Sequence, residues 1–190
     1  MLVGEWEVEA TVPGGGAYTG RVVGRAVGGT VELEWDITSG RYVGVGLEVA
    51  GAWYVACGED WVGLGLALVQ VGGRVRWCPA PGPGEVGATA LAPLGVRHWE
   101  AGPDTAPGFP FASVSLAGAR YLREAALRGG PADRGLALPF PGGHAVAWHP
   151  HYEQTAILRY APGRVPGTLE AAWGLGGHAD LAAETLRPLG

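Results

Sequence analysis

The sequence contains no lysine and no asparagine, and it has only two cysteines. The missing lysine excludes a P-loop lysine, a Schiff-base lysine and a lysine general base. The missing asparagine excludes N-glycosylation, which requires an asparagine acceptor. All 13 basic residues are therefore arginines. This composition fits a thermophile, although hyperthermophilic proteins are usually enriched in lysine.

Positive charge is also scattered along the chain, and the net charge is −5. The chain therefore lacks the basic surface expected of a general nucleic-acid binder. No apolar run approaches the roughly 18 residues of a membrane-spanning helix. The first residues enter a strand pattern directly, without a basic region or a cleavage site. We expect a soluble, cytoplasmic protein that binds neither nucleic acid nor membranes.

Nucleophilic residues are equally few. None of the serines lies in a Gly-x-Ser-x-Gly pattern, which argues against that class of serine hydrolase. Strand alternation points Cys57 inward and Cys78 outward, so their Cβ atoms diverge and a disulfide is not expected. We predict that Cys57 is a buried, unreactive thiol.

Glycine is abundant, with 35 residues, and it is accompanied by 15 prolines and 8 tryptophans. Glycine and proline separate short apolar segments, a pattern typical of many strands joined by turns. A chain of 190 residues suits one domain, which buries roughly 70% of its unfolded surface. We predict a single all-β domain over residues 1–190.

The first strands alternate most clearly. Between residues 4 and 12, apolar side chains such as Trp6 share one face and glutamates share the other. Gly28 and Gly29 predict a two-residue hairpin turn, because its central positions favour positive φ. Pairing about this turn joins charged residues on one face and apolar residues on the other: Arg25 with Glu32, Arg21 with Asp36, Val22 with Trp35, and Gly24 with Leu33.

The next turn allows two registers. A two-residue loop of Ser39 and Gly40 places the apolar residues that follow on the acidic face, whereas a three-residue loop that includes Arg41 places them inside with Trp35. We predict the three-residue loop because it buries these apolar residues. They are Val43, Val45, Leu47 and Val49.

Seven strands are predicted within residues 1–78, which favours an antiparallel meander that closes as a barrel or a curled sandwich. Base-rate strand lengths give about ten to fourteen strands in all. Residues 62–71 are apolar on both faces, with Leu64, Leu66 and Leu68 on one of them. Another element must therefore cover the second face.

The second half, residues 88–190, is less regular and is expected to pack on the first. Residues 79–87 predict a Pro/Gly linker, and residues 119–128 predict one short helix that ends at two glycines. A degenerate internal duplication is one interpretation of three weak similarities, and chance resemblance between hairpins is the other. The similar pairs are 144–148 with 53–57, 155–160 with 65–70, and 167–173 with 73–77.

Gly4, Glu5 and Trp6 in the first strand resemble the Gly-x-Trp opening of the calycins, the lipocalin, fatty-acid-binding and avidin group of up-and-down barrels. A second resemblance, to uncharacterised bacterial β-meander repeat proteins, lies in residues 18–20, Trp35, residues 42–44 and the closing Gly-x-Leu-Glu-x-x-Trp at 167–173. The calycin resemblance implies a barrel whose interior binds a small apolar ligand. It also implies that Arg187 is the late-strand arginine that packs over Trp6.

Strand parity points many aromatic side chains into the predicted barrel. An aromatic-lined interior can hold a flat apolar ligand. Side chains alone can also fill a barrel of this size, so a packed core is the alternative. Trp173 is expected to face inward as well. The predicted ligand-binding residues are Trp6, Tyr18, Trp35, Tyr42, Trp53, Trp77 and Trp148.

Histidines concentrate towards the end of the chain. In an extended segment, His149 and His151 point to the same side and can supply two metal ligands, with Glu153 or His178 as a third. These ligand types favour Zn²⁺. Pro150 between them predicts a loop or a sheet edge, where histidines are also common without any metal.

We predict a non-enzymatic protein, without an obligatory cofactor, that binds a small apolar or aromatic molecule in a tryptophan-lined interior. One alternative is a structural module with a fully packed core that self-associates as a homo-oligomer through residues 62–71. A second is a metal-dependent enzyme built on His149 and His151.

Overall fold

The computed structural model describes residues 2–70, 74–79, 97–100, 114–117, 123–127 and 134–190. These residues form 15 strands and one 3-10 turn, Tyr152–Gln154, which confirms the all-β prediction. The strands are β1 (Gly4–Thr11), β2 (Ala17–Val27), β3 (Thr30–Ile37), β4 (Gly40–Val49), β5 (Ala52–Gly58), β6 (Gly65–Gln70), β7 (Arg74–Pro79), β8 (Arg97–Glu100), β9 (Val114–Ala117), β10 (Arg123–Leu127), β11 (Arg134–Phe140), β12 (Gly143–Trp148), β13 (Ala156–Pro162), β14 (Leu169–Leu175) and β15 (Ala182–Pro188).

Eight strands close into an antiparallel barrel in the order β1, β2, β3, β4, β5, β13, β14, β15, and β15 pairs back to β1. Each strand lies beside the one that precedes it in sequence, except at the step from β5 to β13. The fold is therefore an up-and-down barrel with one long insertion, which confirms the predicted barrel. The strands of the insertion form a second sheet.

The first three strands follow the predicted alternation. The inward residues of β1, among them Trp6, are buried, and the glutamates between them are exposed. Strands β2 and β3 pair in the predicted register, with Val22 opposite Trp35. Gly28 and Gly29 form the predicted turn, with φ values of 52° and 87° that glycine adopts without steric cost.

The predicted three-residue loop before β4 is wrong. Ile37 pairs with Gly40, so the turn consists of two residues, Thr38 and Ser39. The apolar residues of β4 consequently point out of the barrel, where they pack against the second sheet. These residues are Val43, Val45, Leu47 and Val49.

Two glycines occupy the middle interior positions of β4 instead. A Cβ on Gly44 would lie 2.8 Å from a ring carbon of Trp35, and a Cβ on Gly46 would lie 2.7 Å from Cγ1 of Val31. Such distances are too short for carbon atoms. The side chains of β3 therefore fill this part of the interior, and β4 contributes its apolar side chains to the outer face.

The second sheet, in the order β8, β7, β6, β12, β11, β10, β9, packs on the outside of the barrel. Leu64, Leu66 and Leu68 share one face, as predicted, and they pack with outward residues of β4 and β5 such as Leu47. Each fully buried leucine contributes about 1.5–3 kcal/mol. Ala67 on the opposite face of β6 is buried too, as expected for a strand that is apolar on both faces.

Tyr54 on the outer face of β5 connects the two sheets. Its hydroxyl group donates a hydrogen bond to the carbonyl oxygen of Pro139 at 3.0 Å, and its ring meets that of Phe140 edge-on at 5.8 Å. Arg159 on β13 donates from Nε to the same hydroxyl oxygen at 3.2 Å. A polar contact thus accompanies the apolar packing between the barrel and strand β11.

The chain crosses between the sheets twice, and the crossings lie side by side. It leaves the barrel between β5 and β6 and returns between β12 and β13, while β5 pairs with β13 and β6 with β12. In each of the three pairs of similar sequence segments, one segment lies in a barrel strand and the other in a strand of the second sheet. The similar strands are β5 and β12, β13 and β6, and β14 and β7. The duplication stays a prediction.

The predicted helix over residues 119–128 is wrong. Residues Arg123–Leu127 form strand β10, which pairs with β9 and β11, so sheet pairing overrides helix propensity here. The rest of that segment lies outside the described residues, as does nearly all of the predicted linker at 79–87. In the ranges that the structure describes, no helix has the length and apolar character to cross a membrane.

Candidate ligand-binding site

One end of the barrel contains a partly open cavity of ≈ 210 Å³, here called the mouth cavity. Strands β1, β3, β5 and β14 end there, and β2, β4, β13 and β15 begin there. The barrel is therefore not packed solid at this end. The lining residues are Val12, Tyr18, Trp35, Ile37, Ser39, Tyr42, Cys57, Gln154, Ala156, Leu158, Trp173 and Leu175.

Aromatic rings in fixed orientations form much of the cavity wall. The rings of Tyr18 and Trp173 meet edge-on, with centroids 6.1 Å apart, a geometry that aromatic pairs prefer. The indole Nε1 of Trp173 donates to the carbonyl oxygen of Thr11 at 3.1 Å. Trp35 is buried against the glycine at position 44. The wall is thus largely formed before any ligand enters.

In the described part of the chain, few polar groups reach the cavity and none of the residues that line it is charged. Ser39, Tyr42 and Gln154 contribute hydroxyl and amide groups near the strand ends. Cys57 is a free, buried thiol, and burial raises its pKa, with a further contribution from Glu184. The structure confirms that Cys57 is buried. A thiol held in its protonated form is a poor nucleophile, and the lack of reactivity of Cys57 stays a prediction.

A buried glutamate lies beside the cavity. Glu184 on β15 is 1% exposed. The hydroxyl of Tyr18 donates to its Oε2 atom, and the hydroxyl of Tyr160 donates to its Oε1 atom. Trp35 is a further hydrogen-bond partner. Because Tyr18 also lines the cavity, it links the ligand space to the buried carboxyl group.

These contacts determine the acidity of the cluster. Burial raises the pKa of Glu184, and the hydrogen bonds from Tyr160, Tyr18 and Trp35 oppose that effect. Burial and the nearby Glu184 raise the pKa of Tyr18 and of Tyr160 far above the usual range of tyrosine. Both phenols therefore stay protonated and serve as donors to the carboxyl group.

The predicted aromatic residues fall into three groups. Tyr18, Trp35 and Tyr42 line the mouth cavity. Trp6 and Trp53 belong to the barrel core but lie away from that lining. Trp77 and Trp148 are not in the barrel at all, since β7 and β12 belong to the second sheet. The ligand-binding role of these residues stays a prediction, and the structure brings only the first group together.

Arg187 does not pack over Trp6. Its guanidinium group donates to Glu9 at 3.0 Å on the outer face of the barrel, with both side chains about half exposed. Trp6 faces the interior, where its Nε1 atom is buried and has no hydrogen-bond partner among the described residues. The expectation drawn from the calycin resemblance is wrong at this position, because Arg187 and Trp6 lie on opposite faces of the wall.

Of the predicted metal ligands, His149 has a protein partner at each ring nitrogen. His149 is buried, its Nε2 atom lies 3.4 Å from Asp60 Oδ1, and its Nδ1 atom accepts the backbone N–H of His151 at 3.2 Å. The His178 ring lies against Gly14. Within the residues placed by the structure, no three His, Cys, Asp or Glu side chains are grouped so that they could hold a metal ion. Zinc binding stays a prediction.

Sequence reasoning missed Glu184 and Tyr160. Both follow from strand parity. Glu184 lies two residues from the inward Leu186 on β15, and Tyr160 lies two residues from the inward Leu158 on β13, so each shares the inward face. A glutamate at an inward position of a barrel strand requires a special environment, because a buried charge is costly. The inward position of Glu184 in the last strand was therefore the sequence feature that could have revealed this cluster.

No family model matches the chain, and no curated protein matches it.

Proposed function

We propose that the protein binds a small apolar or aromatic molecule in the mouth cavity. One observation carries this proposal: the barrel retains a cavity of ≈ 210 Å³ whose walls include Tyr18, Trp35, Tyr42 and Trp173. Aromatic walls with a few polar groups are typical of small-molecule sites. Burial of ligand surface against these walls supplies the affinity.

The cavity size limits the ligand. An apolar cavity of about 150 Å³ is sufficient for benzene. A volume of ≈ 210 Å³ therefore suits a single aromatic ring with one or two small substituents, rather than a fatty acid or a steroid. This range is narrower than the small apolar ligand that the calycin resemblance implies.

The test is titration of toluene into the purified protein, with tryptophan fluorescence and calorimetry as readouts. Trp35 and Trp173 line the cavity and should report its occupation. Binding with a negative heat-capacity change is expected, because apolar surface is buried. The proposal fails if none of several single-ring aromatic compounds binds at concentrations up to their solubility.

A matched pair of variants locates the binding. Ala156→Leu adds a larger side chain to the cavity wall and should weaken toluene binding roughly tenfold or more. Ala183→Leu makes the same change on the exposed face of β15 and should leave the affinity unchanged. Thermal unfolding of both variants verifies that they remain folded. Equal effects of the two substitutions would place the ligand elsewhere.

The alternative of self-association has less support. It relied on the two-sided apolar character of residues 62–71, and Leu64, Leu66 and Leu68 are already covered by the barrel. The zinc enzyme has less support as well, because both ring nitrogens of His149 contact protein groups. The net charge of −5 supports the proposal that the protein binds neither nucleic acid nor membranes. A cytoplasmic location is also part of the proposed function.

A further inference from the structure

We propose that the mouth cavity selects neutral, single-ring aromatic molecules that carry a hydrogen-bond donor, with phenol as the simplest example, and that the hydroxyl oxygen of Tyr18 receives the donor. This inference rests on the proposed function and adds the polar group that the ligand must carry. It follows from the direction of the hydrogen bonds around Glu184.

A tyrosine hydroxyl has one proton to donate and lone pairs with which to accept. The proton of Tyr18 is directed to Oε2 of Glu184. The oxygen of Tyr18 is then left as an acceptor for any other partner. A ligand that makes a polar contact with this atom must supply the proton itself.

The surroundings of Glu184 hold Tyr18 in that orientation. Tyr160 donates to the other carboxyl oxygen, and Trp35, whose indole nitrogen can only donate, is a third partner. The carboxyl group is 1% exposed, so water does not replace a lost bond. Rotation of the Tyr18 proton towards a ligand would leave a buried carboxyl oxygen without its donor, which is unfavourable.

Of the two tyrosines that donate to Glu184, Tyr18 is the one that lines the mouth cavity. It interacts electrostatically with Cys57 and Tyr42, and all three residues line the mouth cavity. Tyr160 shares the same glutamate but is fully buried and does not line the cavity. The two tyrosines therefore differ in access to the ligand while they share one partner.

The charge of the lining restricts the ligand class further. Among the residues that the structure describes, no arginine lines the mouth cavity, so a ligand carboxylate or phosphate would find no cation from them there. Burial of an unpaired anion is strongly unfavourable, and Glu184 lies next to the site. The site should therefore accept phenols, anilines and similar neutral donors and reject benzoates.

The experiment compares three ligands of similar size by calorimetric titration. Phenol donates a hydrogen bond, benzonitrile only accepts one, and toluene does neither. In Tyr18→Phe, phenol should bind roughly threefold to tenfold more weakly relative to toluene than it does in the wild-type protein. Benzonitrile should keep its affinity relative to toluene.

Tyr160→Phe is the matched control, since it removes the other phenol that donates to Glu184 without changing the cavity wall. It should leave all three relative affinities as they are in the wild-type protein. Because Tyr18→Phe leaves one oxygen of Glu184 without its donor, the double variant Tyr18→Phe/Glu184→Gln tests the same ratios in case the single variant does not fold.

The proposal is overturned if phenol and toluene weaken equally in Tyr18→Phe, or if benzonitrile loses as much as phenol. It is also overturned if Tyr160→Phe changes the ratio as strongly as Tyr18→Phe does. Failure of all three ligands to bind the wild-type protein would instead contradict the proposed aromatic site itself.

Discussion

Gly46 and Val31 face each other inside the barrel, paired across β4 and β3, and a Cβ on residue 46 would lie 2.7 Å from Cγ1 of Val31. This close contact fixes the orientation of β4. With Gly46 inside, Val45 and Leu47 point outward and join the core between the barrel and the second sheet. The attachment of the second sheet therefore depends on a glycine in the barrel wall.

The first prediction concerns this pair. Gly46→Ala should destabilise the protein by roughly 1–3 kcal/mol, because the added methyl group meets Val31. Val31→Ala creates space at the same point, so the double variant should be more stable than the sum of the two single effects implies. Urea unfolding measures all three free energies. Strict additivity would show that residue 46 does not face Val31.

A second prediction tests the packing of the second sheet. Leu66→Ala should cost roughly 2–5 kcal/mol, because Leu66 is fully buried between the sheet and the barrel. Val62→Ala, three residues before β6, should change stability by less than about 0.5 kcal/mol, since Val62 is 42% exposed. Similar small effects at both positions would contradict the packing of β6 on the barrel.

The third prediction is a pH dependence. Burial raises the pKa of Glu184 above the 4.5 of an unperturbed glutamate, so folding favours the protonated form. The stability that this proton contributes is fully present below the unfolded pKa and is lost as the pH rises through the pKa in the folded protein. The side chain in the variant Glu184→Gln does not titrate, so the variant does not lose stability with rising pH at this position.

The free energy of unfolding of the wild-type protein minus that of Glu184→Gln should therefore decrease as the pH rises above 4.5. The difference between the proteins is needed because the pKa of Glu32 is raised by burial as well. Urea unfolding at a series of pH values provides it. A difference that is independent of pH, or that increases with pH, would contradict the raised pKa.

The fourth prediction concerns Cys57. Its buried thiol has a raised pKa, so iodoacetamide should modify it much more slowly in the native protein than in urea. Because Cys57 lines the mouth cavity, a bound aromatic molecule should slow the reaction further. A Cys78→Ala background allows one site to be followed by mass spectrometry. Rapid native labelling that toluene does not affect would argue against this placement.

The alternation of apolar and polar residues and the hairpin turns predicted the barrel but not the second sheet. The alternation of β1 and the register between Arg25 and Glu32 depend on neighbouring residues, which can be read from the sequence. The direction of β4 depends on β6, β11 and β12, whose contacts span large sequence separations. The predicted three-residue loop before β4 places Val45 inside with Trp35, whereas its partners in the second sheet lie far from it in the sequence.

The site was predictable to a similar extent. Parity placed Tyr18 and Trp35 inside, and both line the mouth cavity. Tyr42 lines it as well, although the predicted three-residue loop would have turned Tyr42 outward together with the glycines of β4. Parity also placed Trp77 and Trp148 inside, because nothing in the sequence marks the point where the chain leaves the barrel. The tyrosine–glutamate cluster combines Tyr18 on β2 with Tyr160 on β13 and Glu184 on β15, and Tyr18 and Glu184 are 166 positions apart in the sequence. Only closure of the barrel brings these residues together.

The most direct test of the aromatic site is a crystal structure of the protein soaked in bromobenzene, with the bromine located by its anomalous scattering. We expect a bromine peak inside the mouth cavity, with the ring between Tyr18, Trp35 and Trp173. An empty cavity, side chains that fill it, or a bromine bound only at another place in the molecule would contradict the central claim.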